Sequence, residues 1–167
     1  IIFCRTRSET KNVAEKLAAD GYNTDALHGD LSQAQRDYVM NRFRNRQVQL
    51  LIATDVAARG LDVQDLSHVI NYNLPDEDEV YIHRSGRTGR AESFGVSLVL
   101  ISQKEQQRLK SIEKKIGRKF DRMPIPQGRE ICENQLFHLI DNIINNDIVD
   151  HHIDRFMPQV YDLFNSM

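Results

Sequence analysis

Three arginines, a histidine and two glycines fall within ten residues at 81–90, YIHRSGRTGR. Arg84, Arg87 and Arg90 recur every third residue. Residues three apart on a helix share a face, so the first two are expected to point the same way. Gly86 and Gly89 mark a helix end and let the backbone lie close to a ligand. A guanidinium is always charged and forks onto paired oxygens, so arginines fixed on a glycine turn suit a polyphosphate. A solvated basic helix end, favoured by the negative pole of the dipole, fits the same residues.

Two other stretches share this character. In Gly29-Asp30-Leu31-Ser32 a glycine turn opens a helix whose free N–H groups form an anion site, with Arg36 one turn in. An ordinary helix start reads the same way. In ATDVAARGLD, 53–62, Thr54, Asp55, Arg59 and Asp62 share one loop whose small residues admit a close backbone. A well-capped loop with Asp62 pairing Arg59 is the plainer reading.

The elements that must hold these loops alternate. Residues 1–4, 22–27, 48–53, 68–72 and 95–101 read as strands. Helices are expected from about Ser8 to Gly21, from Ser32 through Phe43, over 77–84 and over 104–116. Ser8 is taken as the cap of the first helix and Ser32 as that of the second. Strand–helix alternation predicts an α/β fold, a parallel sheet with helices on both faces. Ligands then sit beyond the carboxyl ends of the strands. Arg5-Thr6, His28-Gly29-Asp30, Thr54-Asp55 and residues 73–75 all follow strands.

Composition sets limits. A chain of 167 residues, 40% hydrophobic, is sized for one main domain with a core. A net charge of −2 requires any nucleic-acid contact to come from local loops rather than from the overall field. Cys4 and Cys132 fit no metal spacing and read as reduced thiols of a cytoplasmic protein. His151 and His152 are adjacent and diverge on a helix, so no metal site is expected. No apolar run reaches the roughly 18 residues of a membrane span. The chain opens directly on IIFC, which leads us to expect a piece of a longer protein.

Taken together, the loops resemble the second RecA-like lobe of the DEAD-box RNA helicases. IIFCRTR at 1–7 resembles helicase motif IV. HGDLSQAQR at 28–36 resembles the following motif, with Gln33 and Arg36 as its Gln-x-x-Arg. ATDVAARGLD resembles motif V, VINYNLP at 69–75 the segment after it, and HRSGRTGR at 83–90 motif VI. The five follow in order over residues 1–90. Ser85 departs from the isoleucine that many members carry.

The resemblance implies a RecA-like fold and ATP-dependent RNA unwinding in the full protein. It implies that Arg87 and Arg90 approach the γ-phosphate of ATP and that Gly60 and Asp62 lie near the nucleotide. His83 links ATP to the interlobe contacts, Arg59 lies across the cleft, and Arg84 gives structural or interlobe support. Arg5, Thr6, Gly29, Arg36 and Thr54 are implied to hold the RNA backbone. The phosphate loop G-x-x-x-x-G-K-[ST] and the Asp-Glu-Ala-Asp box do not occur here. By the same resemblance they belong to a first lobe, which would bind most of the ATP and its Mg2+. The fragment alone is therefore expected to be inactive.

Residues 118–127, RKFDRMPIPQ, carry two prolines and read as a linker. The expected division is a helicase lobe at 1–123 and a small helical extension at 124–167. Ile131, Leu136, Leu139, Ile140, Ile143 and Ile144 sit at helical spacing, and Ile153, Phe156, Val160, Leu163 and Phe164 form a second piece. Residues 128–167 resemble the start of the extension of bacterial DeaD/CshA-type helicases, which implies a possible homodimer. Packing of the extension on the lobe fits the same apolar faces. Two other classes stay open: a non-catalytic RNA-binding or dimerising adaptor that keeps the fold, and a DNA-directed motor. Intact Arg87, Arg90 and Asp62 weigh against the first, and the His-Arg-Ser-Gly-Arg start of the last motif against the second.

Overall fold

The computed structural model describes residues 1–58, 63, 66–89, 94–145, 158 and 161–162. Arg59, Gly60, Asp62, Arg90, His151 and His152 lie outside the described residues, as does most of the second amphipathic piece. The chain forms two units, Ile1–Phe120 and Asp121–Met167.

The first unit is a five-stranded parallel sheet in the order β2-β3-β1-β4-β5. The strands are β1 Ile2–Cys4, β2 Thr24–Leu27, β3 Leu50–Thr54, β4 His68–Asn71 and β5 Val96–Val99. The helices are α1 Arg7–Ala19, α2 Gln33–Arg44, α3 Asp55–Ala58, α4 Asp78–Ser85 and α5 Gln106–Ile116, the last preceded by a 3₁₀ turn at Gln103–Glu105. Strand residues alternate between faces. Ile1, Phe3, Leu27, Leu51 and Val69 therefore pack with Val39 and Met40 of α2. Ile2, Cys4 and Ile52 meet Ala14, Val13 and Leu17 of α1 on the opposite face. A third cluster joins Leu74, Tyr81 of α4 and Ile112 of α5 to Val99. Each fully buried Leu or Ile side chain contributes about 1.5–3 kcal/mol.

Several expectations are corrected. The cap of α1 is Thr6, not Ser8: its hydroxyl accepts from Glu9 N–H, and the Glu9 carboxylate accepts from Thr6 N–H. That reciprocal box needs a Glu or Gln three places on, and Ser8 has Lys11 there. Ser32 caps α2 in the same way with Gln35. Strand β2 begins at Thr24 rather than Tyr22, because Tyr22 N–H closes the end of α1 on the Leu17 carbonyl. Residues 55–58, expected as loop, form the short helix α3 immediately after β3. The edge strand β5 leaves Val96 and Leu98 exposed on one face, and Leu100 just beyond it.

In the second unit, α6 spans Gly128–Asn145. Leu136, Phe137 and Leu139 on it are exposed, at 50%, 64% and 56%. Among the described residues no helix is long and apolar enough to cross a membrane.

Candidate functional site

Because all five strands are parallel, their carboxyl ends form one rim, and the segments that follow β1, β2, β3 and β4 leave from it. At its centre is Arg84, only 3% exposed. Its Nε and Nη2 donate to the two oxygens of Asp55, both at 2.6 Å. Its Nη1 donates to Asn71 Oδ1 and to the Asn73 carbonyl, each at 2.9 Å, and the guanidinium lies 5.0 Å from the Phe3 ring centre. A guanidinium can be buried only if its donors are met, and the bidentate carboxylate supplies the charge. The pair ties α4 to α3, fixing helix 78–85 against the loop that follows β3. All of these Arg84 contacts are internal to the first unit.

Asn73 is a second junction. Its Oδ1 accepts from Arg5 N–H at 2.9 Å and its Nδ2 donates to Glu9 Oε1 at 3.2 Å. Arg5 extends its Nη2 to the Leu74 carbonyl at 3.0 Å and lies 3.6 Å from Asp76, with half its side chain in solvent. The Thr6 hydroxyl is engaged with Glu9. Thr54, expected on the RNA face, is only 5% exposed, and its hydroxyl accepts from Ala57 N–H at 3.4 Å. Its side chain shapes the β3–α3 turn rather than presenting itself outward.

The loop after β2 is held to α1 by charge. Asp30 pairs with Arg7 and with Lys11 at 3.2 Å. Hydrogen bonds from Lys11 and then Arg7 hold its carboxyl below the usual range. His28 is buried and its Nδ1 accepts from Asp30 N–H at 3.3 Å, which fixes the Nε2–H tautomer. Burial, and then the charge of Lys11, push its pKa down, so the neutral ring is the stable form. Gly29 is exposed beside the Arg7 side chain, and Arg36 is partly exposed one turn into α2. Arg5, Arg7, Lys11 and Arg36 thus place cations along the β1 and β2 ends of the rim. Arg7 and Lys11 were not singled out from sequence. Their common partner Asp30, between a strand and a helix start, was the available signal.

Helix α4 stops at Ser85, with Gly86 at its cap. Arg87 lies past the helix end, so the three-residue spacing does not align it with Arg84. The first arginine is buried and the second is partly exposed. His83, in the last turn, is exposed. The turn is held by Leu66 N–H donating to the Arg87 carbonyl at 3.1 Å and by the Thr88 hydroxyl on the Leu66 carbonyl. Gly89 has φ +69°, and Gly95 is pressed against Thr88 and Gly89, where any Cβ would collide with Thr88 Oγ1 and the Gly89 backbone. Glycine is required at both positions. Arg87 also lines a small cavity with Ile1, Phe3, Ala58, Val63 and Leu66. Among the described residues, no group of three His, Cys, Asp or Glu could hold a metal ion.

Comparison with known proteins fits this geometry. Residues 1–92 match the family model described as "Helicase conserved C-terminal domain", and residues 131–167 match "Probable ATP-dependent RNA helicase, helical domain". The DEAD-box ATP-dependent RNA helicase CshA of Bacillus subtilis is 37% identical over 166 residues, 99% of this chain and 33% of that protein. CshA of Bacillus cereus is 40% identical over 88% of this chain and 29% of its own length. The chain therefore spans about a third of the curated relatives it matches. A DEAD box protein from Methanococcus jannaschii superposes with TM-score 0.70 at 44% identity, covering 74% of this chain and 34% of that one. The C-terminal domain of the DEAD-box protein Dbp5 superposes with TM-score 0.71 at 33% identity, covering 80% of this chain and 78% of that one. The sequence and the parallel fold agree that this chain belongs to the helicase conserved C-terminal domain family, in its DEAD-box branch.

Proposed function

We propose that this chain is the second lobe of an ATP-dependent RNA helicase that works in the cytoplasm. In the intact protein, a first RecA-like lobe would bind most of the ATP and its Mg2+. Arg87 and Arg90 would close on the γ-phosphate, with His83, Arg59, Gly60 and Asp62 near the nucleotide and the lobe contact. Arg5, Thr6, Gly29 and Arg36 would hold RNA by its phosphates and sugars, without reading sequence. Thr54 would contribute by shaping the β3–α3 turn. Closure of the two lobes on both ligands would bend the bound strand and open a short duplex.

The observation that carries this reading is the Asp55–Arg84 pair at 2.6 Å. It anchors α4 at the carboxyl-end rim, and the turn that follows holds Arg87, partly exposed, beside Leu66 just ahead of β4. Residues on one side of that rim carry cations suited to a phosphate backbone. ATP fits as a shared ligand, because the arginine turn is built here and the phosphate loop is not. Phosphoryl transfer depends on positioning and charge neutralisation, and an arginine finger contributes about 10³–10⁵ in rate, or roughly 4–7 kcal/mol of barrier.

The test is Arg87→Ala in the intact protein. RNA-stimulated hydrolysis should fall by about 10³ or more while RNA affinity holds within about threefold. Loss of RNA binding with hydrolysis preserved would reverse the assignment. The isolated chain should turn over no ATP. Residues 128–167 serve, on this reading, as a homodimer element, because α6 exposes Leu136, Phe137 and Leu139. Sedimentation with and without that segment tests this. A monomer in both cases would refute pairing and favour packing on the lobe.

A further inference from the structure

We infer that Asn73 is a positioning residue that sets the RNA-facing start of α1. The inference rests on the RNA-clamp reading of Arg5 and Thr6 given above. It starts from a donor–acceptor count. The backbone N–H of Arg5 can only donate, so the Asn73 atom 2.9 Å from it must be the carbonyl oxygen. That orientation leaves the amide NH₂ facing the Glu9 carboxylate at 3.2 Å, which can only accept. Glu9 in turn accepts from Thr6 N–H and interacts with the Thr6 hydroxyl, both at 3.2 Å. One half-buried amide thus aligns both residues of the loop between β1 and α1. It does so from a different strand end, 68 residues away. Leucine or alanine would make neither bond. Aspartate would keep the first and set two carboxylates against each other at the second. The Asn73 backbone carbonyl also holds Arg84 at 2.9 Å, so the amide reaches the α1 start from a point anchored to α4.

This chemistry makes a specific exchange possible. In Asn73→Asp with Glu9→Gln, the new carboxylate accepts from Arg5 N–H and from the new amide, while the Gln carbonyl accepts from Thr6 N–H. The number of hydrogen bonds and the net charge are both restored.

The experiment uses the intact two-lobed protein and a single-stranded RNA oligonucleotide. It measures the RNA concentration for half-maximal ATP hydrolysis and kcat at saturating RNA. Asn73→Ala, which adds no charge, should raise the half-maximal concentration about fivefold, or about 1 kcal/mol. Asn73→Asp should raise it further. In both, kcat should stay within about twofold, since the γ-phosphate arginines are untouched. The double variant Asn73→Asp/Glu9→Gln should return to within about twofold of wild type. A wild type whose hydrolysis RNA does not stimulate overturns the RNA reading and this inference together. A stimulated wild type with Asn73→Ala unchanged overturns the inference alone. So does a loss confined to kcat, or a double variant no better than Asn73→Asp.

Discussion

Removing either partner of the Asp55–Arg84 pair should have unequal costs. Arg84 is 3% exposed, whereas the Asp55 side chain is 39% exposed. In Arg84→Met, the freed Asp55 carboxylate regains water. Buried Asn71 Oδ1 loses its Arg84 donor, at about 1–3 kcal/mol. The sum falls at the lower end of the roughly 3–5 kcal/mol typical of a buried pair that loses one member. In Asp55→Ala the ion left behind is the one with no access to water, so the cost should reach the upper end of that range. Arg84→Lys keeps the charge but cannot fork onto both oxygens and should cost about 2 kcal/mol. These are large fractions of the roughly 5–15 kcal/mol that holds a domain folded. Urea unfolding followed by circular dichroism measures them. With a slope near 2 kcal/mol per molar, Arg84→Met should lower the midpoint by about 1.5 M without changing the slope. A loss below about 1 kcal/mol for Arg84→Met would refute the account, because a median surface pair is worth no more. So would a milder effect for Asp55→Ala than for Arg84→Met.

One further outcome is expected. Cys4 is fully buried with its thiol pushed up to about 11 by burial, while Cys132 is exposed. A thiol reagent at neutral pH should label Cys132 quickly and Cys4 only after denaturant is added. Rapid labelling of both in the folded chain would contradict the burial of β1.

Much of the fold was legible because its signals are local. Apolar runs separated by amphipathic stretches place strands and helices whatever their partners, and Ser32 and Gly117 bound helices by their own chemistry. The capping box at Thr6 is also present in the sequence, as Thr-x-x-Glu, whereas Ser8 has a lysine three places on. Burial had no local signal: Thr54 and Arg84 are polar residues in chemically suggestive stretches, yet both are buried.

The order and type of residues alone determined the alternating parallel architecture, the loops that carry the chemistry, and the family resemblance that assigns them. Tertiary structure alone decided that Arg84 is buried while Arg87 is partly exposed. Helix α4 ends at Ser85, and Asp55, 29 residues earlier in the chain, meets Arg84 across the sheet rim. It likewise decided that Asn73 bonds residues 5 and 9, because adjacency of parallel strand ends is a property of strand order and not of sequence distance. A buried charge takes whichever counter-ion the topology brings within reach, and that choice is made only when the sheet closes.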